Sequence, residues 1–161
     1  MRKKFAALAV VVLGALAIVT AAQAGATTTI TNTSTPVDFL AFVPCAAGGA
    51  GEVVHLTGEV HSIVKLTING NRFNLAEHIN FQGVSGTGQT TGDKYQGTDT
   101  VNHSDNDSLN NLQHAETFTS SFRVNGQGPG NNLAVHEVTH LTINANGDVT
   151  VLFSDFSIDC G

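Results

Sequence analysis

The sequence predicts an all-β fold, a single antiparallel β-barrel or sandwich of about eight strands closed by one disulfide. Short runs rich in Val, Ile, Thr and Phe alternate with Gly and Asn clusters from residue 37 to the end. No window carries a long amphipathic helix, and SLNNLQH at 108–114 is the best short candidate. Two cysteines, Cys45 and Cys160, bracket this region, and an even count in an exported chain favours a disulfide. Chains of this pattern fold as barrels or sandwiches.

Taken in order, residues 1–24 read as a secretory signal peptide. Arg2, Lys3 and Lys4 precede an apolar run from Phe5 to Val19 that ends in Ala22-Gln23-Ala24. Cleavage after Ala24 then gives a secreted, extracellular protein with no membrane attachment, since the run lacks a stop-transfer flank. Residues 25–36, GATTTITNTSTP, are small and polar and read as a flexible leader, which leaves 37–161 as a single β domain.

Strands are expected near 37–43, 52–60, 61–69, 72–81, 93–101, 115–124, 132–144 and 148–158. The segment 82–111 is so rich in Gly, Thr, Asn and Asp that it reads largely as turns or a long excursion. NGQGPGNN at 125–132 reads as a turn, with Gly supplying positive φ at two places. VHSIVKLTIN (60–69) and VHEVTHLTIN (135–144) align without gaps as a faint internal repeat. Gly70-Asn71 follows the first copy and Asn146-Gly147 the second, so each copy reads as the first arm of a β-hairpin.

Charge narrows the partners. Three of the 7 Lys and Arg lie in the first four residues, leaving Lys65, Arg72, Lys94 and Arg123 against 13 Asp and Glu. Phosphate contacts need clustered cations, so nucleic acid is not an expected partner, and the same deficit argues against anionic lipid. No cofactor is expected either, and a small-molecule ligand is the partner the sequence leaves open.

HEVTH at 136–140 is a literal H-E-x-x-H string. On a helix, two histidines four apart stand roughly 6 Å from each other on one side and grip zinc. On a strand they are roughly 13 Å apart and the Glu points to the other face. The context is that of a strand. Val135, Val138, Thr139, Thr142 and Ile143 are β-branched, a Gly-Pro-Gly turn precedes and an Asn-Gly turn follows. The aligned repeat carries Ser62 for Glu137 and Lys65 for His140, and residues 141–161 contain no further His or Glu. HEVTH is therefore read as a strand and not as a metalloprotease site. A surface metal site between strands through His61, His136 or His140 would need cross-strand pairing that the sequence does not reveal.

Period-2 alternation places Leu133, Val135, Thr139, Leu141 and Ile143 on one face together with Glu137. It places Val60, Val64, Leu66 and Ile68 with Ser62, Phe73, Leu75, Ile79 and Phe81 with Glu77, and Phe118, Phe122 and Val124 with Glu116. A carboxylate on an apolar face is costly unless it is paired, protonated or at a wet rim. Glu77 and Glu137 are thus the catalytic candidates, and Glu77, Glu116, Glu137 and Ser62 the ligand-binding ones. Asp105 and Asp107 match the start of a calcium loop, but Leu109 and Asn110 break the pattern. Ser85 in GVSGTG lacks a nucleophile elbow.

The stretches PCAAGGAGEVVHLTG (44–58), QGVSGTGQTTGDKYQGT (82–98), GQGPGNNLAVHEVTH (126–140) and LTINANGDVTV (141–151) resemble a family of uncharacterised secreted bacterial β-rich proteins found in actinobacteria and other soil bacteria. That resemblance implies export and brings no residue roles. Three functions stay open. One is a non-catalytic barrel module that binds a small apolar ligand or serves at the cell exterior. The second is a barrel-type cyclase or isomerase, broadly similar to allene oxide cyclases or dirigent proteins, using Glu77 and Glu137. The third is a structural or adhesive protein.

Overall fold

The structure is a computed structural model that describes residues 25–128 and 130–161. The signal-peptide reading of 1–24 lies outside the described residues. Seven strands, β1 (Thr27–Val43), β2 (Glu52–Asn69), β3 (Arg72–Gly88), β4 (Lys94–Ser108), β5 (His114–Gly126), β6 (Asn132–Ile143) and β7 (Val149–Asp159), form one antiparallel sheet in chain order. One short helix, α1 (Ala46–Gly49), follows β1. Among the described residues no helix is long and apolar enough to cross a membrane.

The all-β antiparallel class is the one expected, but the sheet is not closed into a barrel. A meander of seven strands leaves β1 and β7 running in the same direction, so the ladder that would close an antiparallel barrel is not available between them. The expected eighth strand is absent because 52–60 and 61–69 are one strand. The break between them is a bulge, with a register shift between Thr57 and Glu59. Gly58 sits there because any Cβ would collide with Val84.

Two further expectations fail. Residues 27–36 are not a loose leader; they pair with Ile68 back to Glu59 of β2 and extend β1. Residues 82–88 and 94–108 are strand, not an excursion. Glycine misled there: Gly86 lies where β3 presses against the His55 backbone, a close approach that excludes a side chain. The 108–114 helix candidate forms the turn between β4 and β5.

Both hairpin arms of the repeat are borne out, β2 turning at Gly70 (φ 59°) into β3 and β6 turning at Gly147 (φ 89°) into β7. The Gly-rich turn between β5 and β6 carries positive φ at Gly128 and Gly130.

The core gathers at one end of the sheet, hereafter the pole. Val43, Ala46, Val54, Leu56, Val84, Tyr95, Val124 and Leu133 are buried there, and Phe39, Phe81 and Phe122 form the next layer, with ring centroids 5.8 and 6.1 Å apart. Cys45 and Cys160 are bonded at this end, Cα to Cα 5.7 Å across 115 residues, tying the ends of β1 and β7. In the chain-entropy picture a loop of that length stabilises by roughly 4–5 kcal/mol. Away from the pole the sheet opens, and every position of β7 and the first ten of β1 are exposed.

Candidate functional site

Opposed residues of an antiparallel ladder share a face. The face that bears the core therefore also carries Glu77, Asp99, His103, Asp105, Asp107, His114, Glu116 and Glu137. Lys65, Arg72, Lys94 and Arg123 all fall on the opposite face. Among the described residues the inner face beyond the pole is thus acidic, with only histidine to offset it.

Asp105 and Asp107 lie two apart on β4, so both point inward; β5 then sets Glu116 opposite Asp105 and His114 opposite Asp107, and β3 sets Glu77 opposite His103. The result is a continuous row. Ser62 Oγ donates to Glu77 Oε1 at 3.2 Å, and Glu77 Oε2 stands 3.9 Å from His103 Nδ1. His103 Nε2 donates to Glu116 Oε1 at 3.0 Å, and Glu116 Oε2 lies 3.6 Å from His114 Nε2. His114 Nδ1 donates to Asp107 Oδ1 at 2.5 Å and stands 3.2 Å from Asp105 Oδ1.

Asp105 is the weakly satisfied member. Its Oδ1 is buried and accepts no hydrogen bond, the His114 approach being too poorly aligned to count. Burial first, then the neighbouring Asp107 charge, push its carboxyl above the ordinary range, with His114 acting against them. The hydrogen bond to Asp107 raises the His114 imidazole above its usual value and outweighs burial, which lowers it. Burial likewise raises Asp99. Donor atoms of Asp105, Asp107 and His114 lie within 4.8 Å of one another, close enough for one cation to touch all three. Two grooves reach these strands from the opposite face, one lined mainly by Ile63, Lys65, Ala76 and Thr117 and touched by Glu77 and His103, the other by Arg72, Asn74 and Asn106 and touched by Asp107 and His114.

The residues singled out in the sequence are only partly brought together. Ser62, Glu77 and Glu116 join the row. Glu137 is on the same face but three strands from Glu77, opposite Ser120 and Phe156. The HEVTH string lies in β6 as a strand, His136 and His140 on the outer face and Glu137 on the inner. His140 hydrogen-bonds Thr117 at 2.8 Å, and His61, four strands away on β2, donates to Asn32 at 2.6 Å, so these three histidines do not converge. His103, His114, Asp105 and Asp107 were missed as partners. Asp105 and Asp107 show in the sequence as a D-x-D pair, which is a loop signal only off a strand; on a strand it is a same-face pair.

A second carboxylate escaped notice. Glu52 is 2% exposed at the pole and accepts Tyr95 Oη at 2.5 Å, Thr91 Oγ1 at 2.9 Å and the backbone N–H groups of Thr91 and Thr90 at 3.1 and 3.3 Å. Burial raises its carboxyl, but these bonds together outweigh burial and hold it below the ordinary range. Burial and the Glu52 charge push the Tyr95 phenol well up, so it remains a donor. Its alternation with Val54 and Leu56 is the signal that would have found it.

Fold and site together define a disulfide-tied, open antiparallel sheet with an acidic inner face. No protein-family model, curated protein or solved structure matches the chain.

Proposed function

We propose that the protein is an exported, non-catalytic binding module whose inner sheet face takes a small cationic ligand with an apolar body. The observation that carries this reading is the segregation of charge: among the described residues the inner face beyond the pole carries six carboxylates, Glu77, Asp99, Asp105, Asp107, Glu116 and Glu137, and no Lys or Arg. Like charges opposed across a ladder, as Asp105 and Glu116 are, destabilise the sheet, and a bound cation relieves that cost. Half-buried Leu66, Leu75, Phe118 and Leu141 flank the row and suit the ligand's apolar part. Export is supported by the signal-like start of the sequence and by the disulfide.

Catalysis has less support, since Glu77 and Glu137 stand three strands apart. The test is calorimetric titration of the mature chain at low salt with hexylamine, hexanol and hexanoate. Binding of the amine alone, lost in Asp105→Asn/Asp107→Asn, is the expected result; equal binding of hexanol returns the site to a purely apolar ligand. A divalent metal is the second reading, favoured by the 4.8 Å grouping of Asp105, Asp107 and His114. Titration with zinc in the same cell separates the two, because only the metal reading makes His114→Gln lose binding entirely.

A further inference from the structure

Cross-strand register gives the inner face beyond the pole a repeated order. From β2 to β7 one rung runs Leu66, Leu75, Asp105, Glu116, Leu141, Leu152. The next rung toward the open end runs Ile68, Phe73, Asp107, His114, Ile143 across β2 to β6. On the poleward side, Glu77 and His103 stand between Val64 and Phe118. Each rung is thus apolar, charged in the middle and apolar again. Past β2 the apolar order ends on threonine, with Thr29 opposite Leu66 and Thr27 opposite Ile68, and past β7 it ends at the sheet edge.

We infer that the ligand of this face carries its cationic nitrogen between two apolar arms, as a dialkylamine does, and not at the end of a single tail. The inference rests on the inner-face binding reading and adds where in the ligand the charge sits. A nitrogen held by Asp105 and Glu116 stands midway between β4 and β5, with Leu75 and Leu141 roughly 7 Å to either side and Leu66 and Leu152 roughly 12 Å away, at the usual strand spacing. Two arms cover both flanks. A single tail covers one flank and leaves the other in water. Once longer than its flank, it runs onto Thr29 or off the edge at β7.

Turning the tail along the strands toward the pole does not help. Glu77, Asp99 and Glu137 interrupt the apolar side chains there, and a methylene chain laid over a carboxylate takes water from it without pairing it. The flanks are open to a ligand, since Ile68 is 44% and Leu152 71% exposed. The middle lacks a donor: Asp105 Oδ1 accepts no hydrogen bond. A dialkylammonium keeps two N–H groups, one for Asp105 and one for Glu116, so the second arm costs neither contact.

The experiment is calorimetric titration at low salt with two isomers, dihexylamine and dodecylamine, beside hexylamine, with dodecylamine held below the concentration at which it forms micelles. Both isomers have the same carbons and one positive charge, and they differ in where the charge sits. Burying one methylene is worth about fourfold in affinity, so the part of the long tail that overshoots its flank should leave dodecylamine about tenfold weaker than dihexylamine, or more. Ile68→Ser and Leu152→Ser each trim one flank at an exposed position and should keep the circular dichroism spectrum unchanged. Each is expected to weaken dihexylamine by about threefold or more. Dodecylamine binding as tightly as dihexylamine, or more tightly, overturns the inference, and so does a loss in only one of the two variants; hexylamine binding in the same cell then keeps the inner-face reading. If none of the three amines binds, that reading fails and the inference falls with it.

Discussion

Glu52 at the pole and Asp105 in the open half are both carboxylates on the inner face, and their surroundings are opposite. Glu52 is covered by Tyr95, Thr91 and two backbone N–H groups, so nearly every lone pair has a donor. Asp105 has a buried oxygen with no hydrogen bond, a second Asp beside it and Glu116 opposite. Burial raises both carboxyls; only at Glu52 do donors reverse the effect. The difference separates two uses of one group. A carboxylate that holds a fold together is satisfied by the fold, and Asp105 is left short by it, as the proposed cation site requires.

The comparison breaks first at the pole. Glu52→Ala strands the Tyr95 hydroxyl and two N–H groups and leaves a hole beneath them, so unfolding should become easier by about 4 kcal/mol in urea titrations. A loss under about 1 kcal/mol would mean that Glu52 is a strained group retained for function. Removing the disulfide with Cys45→Ala/Cys160→Ala should cost about 3 kcal/mol by the same measurement, somewhat less than loop entropy alone predicts. Hydrogen exchange should then rise in β1 and β7, the elements the bond joins.

The same comparison shows what the sequence could convey. Alternation alone placed Ser62, Glu77, Glu116 and Glu137 on the inner face, and all four are there, because a period of two is a local property of each strand. HEVTH was legible as a strand from its β-branched neighbours and flanking turns, not from alternation. What alternation lacks is register between strands: nothing local says that Glu77 faces His103 or that His114 faces Asp107. The acidic row is a product of cross-strand pairing and was illegible for that reason. The Thr-rich start of β1 was missed because both of its sides are exposed, leaving no apolar alternation to read. The glycines of 82–88 looked like loop and are strand because neighbouring backbones pass too close for side chains.

In the open half, Asp105→Asn removes a charge that the fold does not satisfy. Stability at neutral pH should stay level or rise by up to about 1 kcal/mol while amine affinity falls, the reverse of the Glu52 result. A drop in stability comparable to that of Glu52→Ala would place Asp105 among the structural carboxylates and remove the contrast.

The smallest effect is the dependence on pH, and its sign distinguishes the two regions. Glu52 has a lowered folded pKa, so its contribution is present above its ordinary value of 4.5 and disappears as pH falls through the folded value. His114 has a raised folded pKa, so its contribution is complete below 6.5 and is lost as pH rises through the folded value. Asp105, also raised, carries no penalty when protonated in both states, below 3.8, and its penalty grows as pH rises from there through its folded value and then levels off. The wild type should therefore lose a little stability from pH 6 upward, less than about 1 kcal/mol for a pair this accessible to water. His114→Gln should flatten that limb and leave the Glu52 contribution in acid unchanged, whereas Glu52→Gln should remove that contribution and leave the neutral limb as it is. If His114→Gln leaves the neutral limb as it was, the imidazole is not held charged by Asp107, and the row on the inner face carries its full negative charge without it.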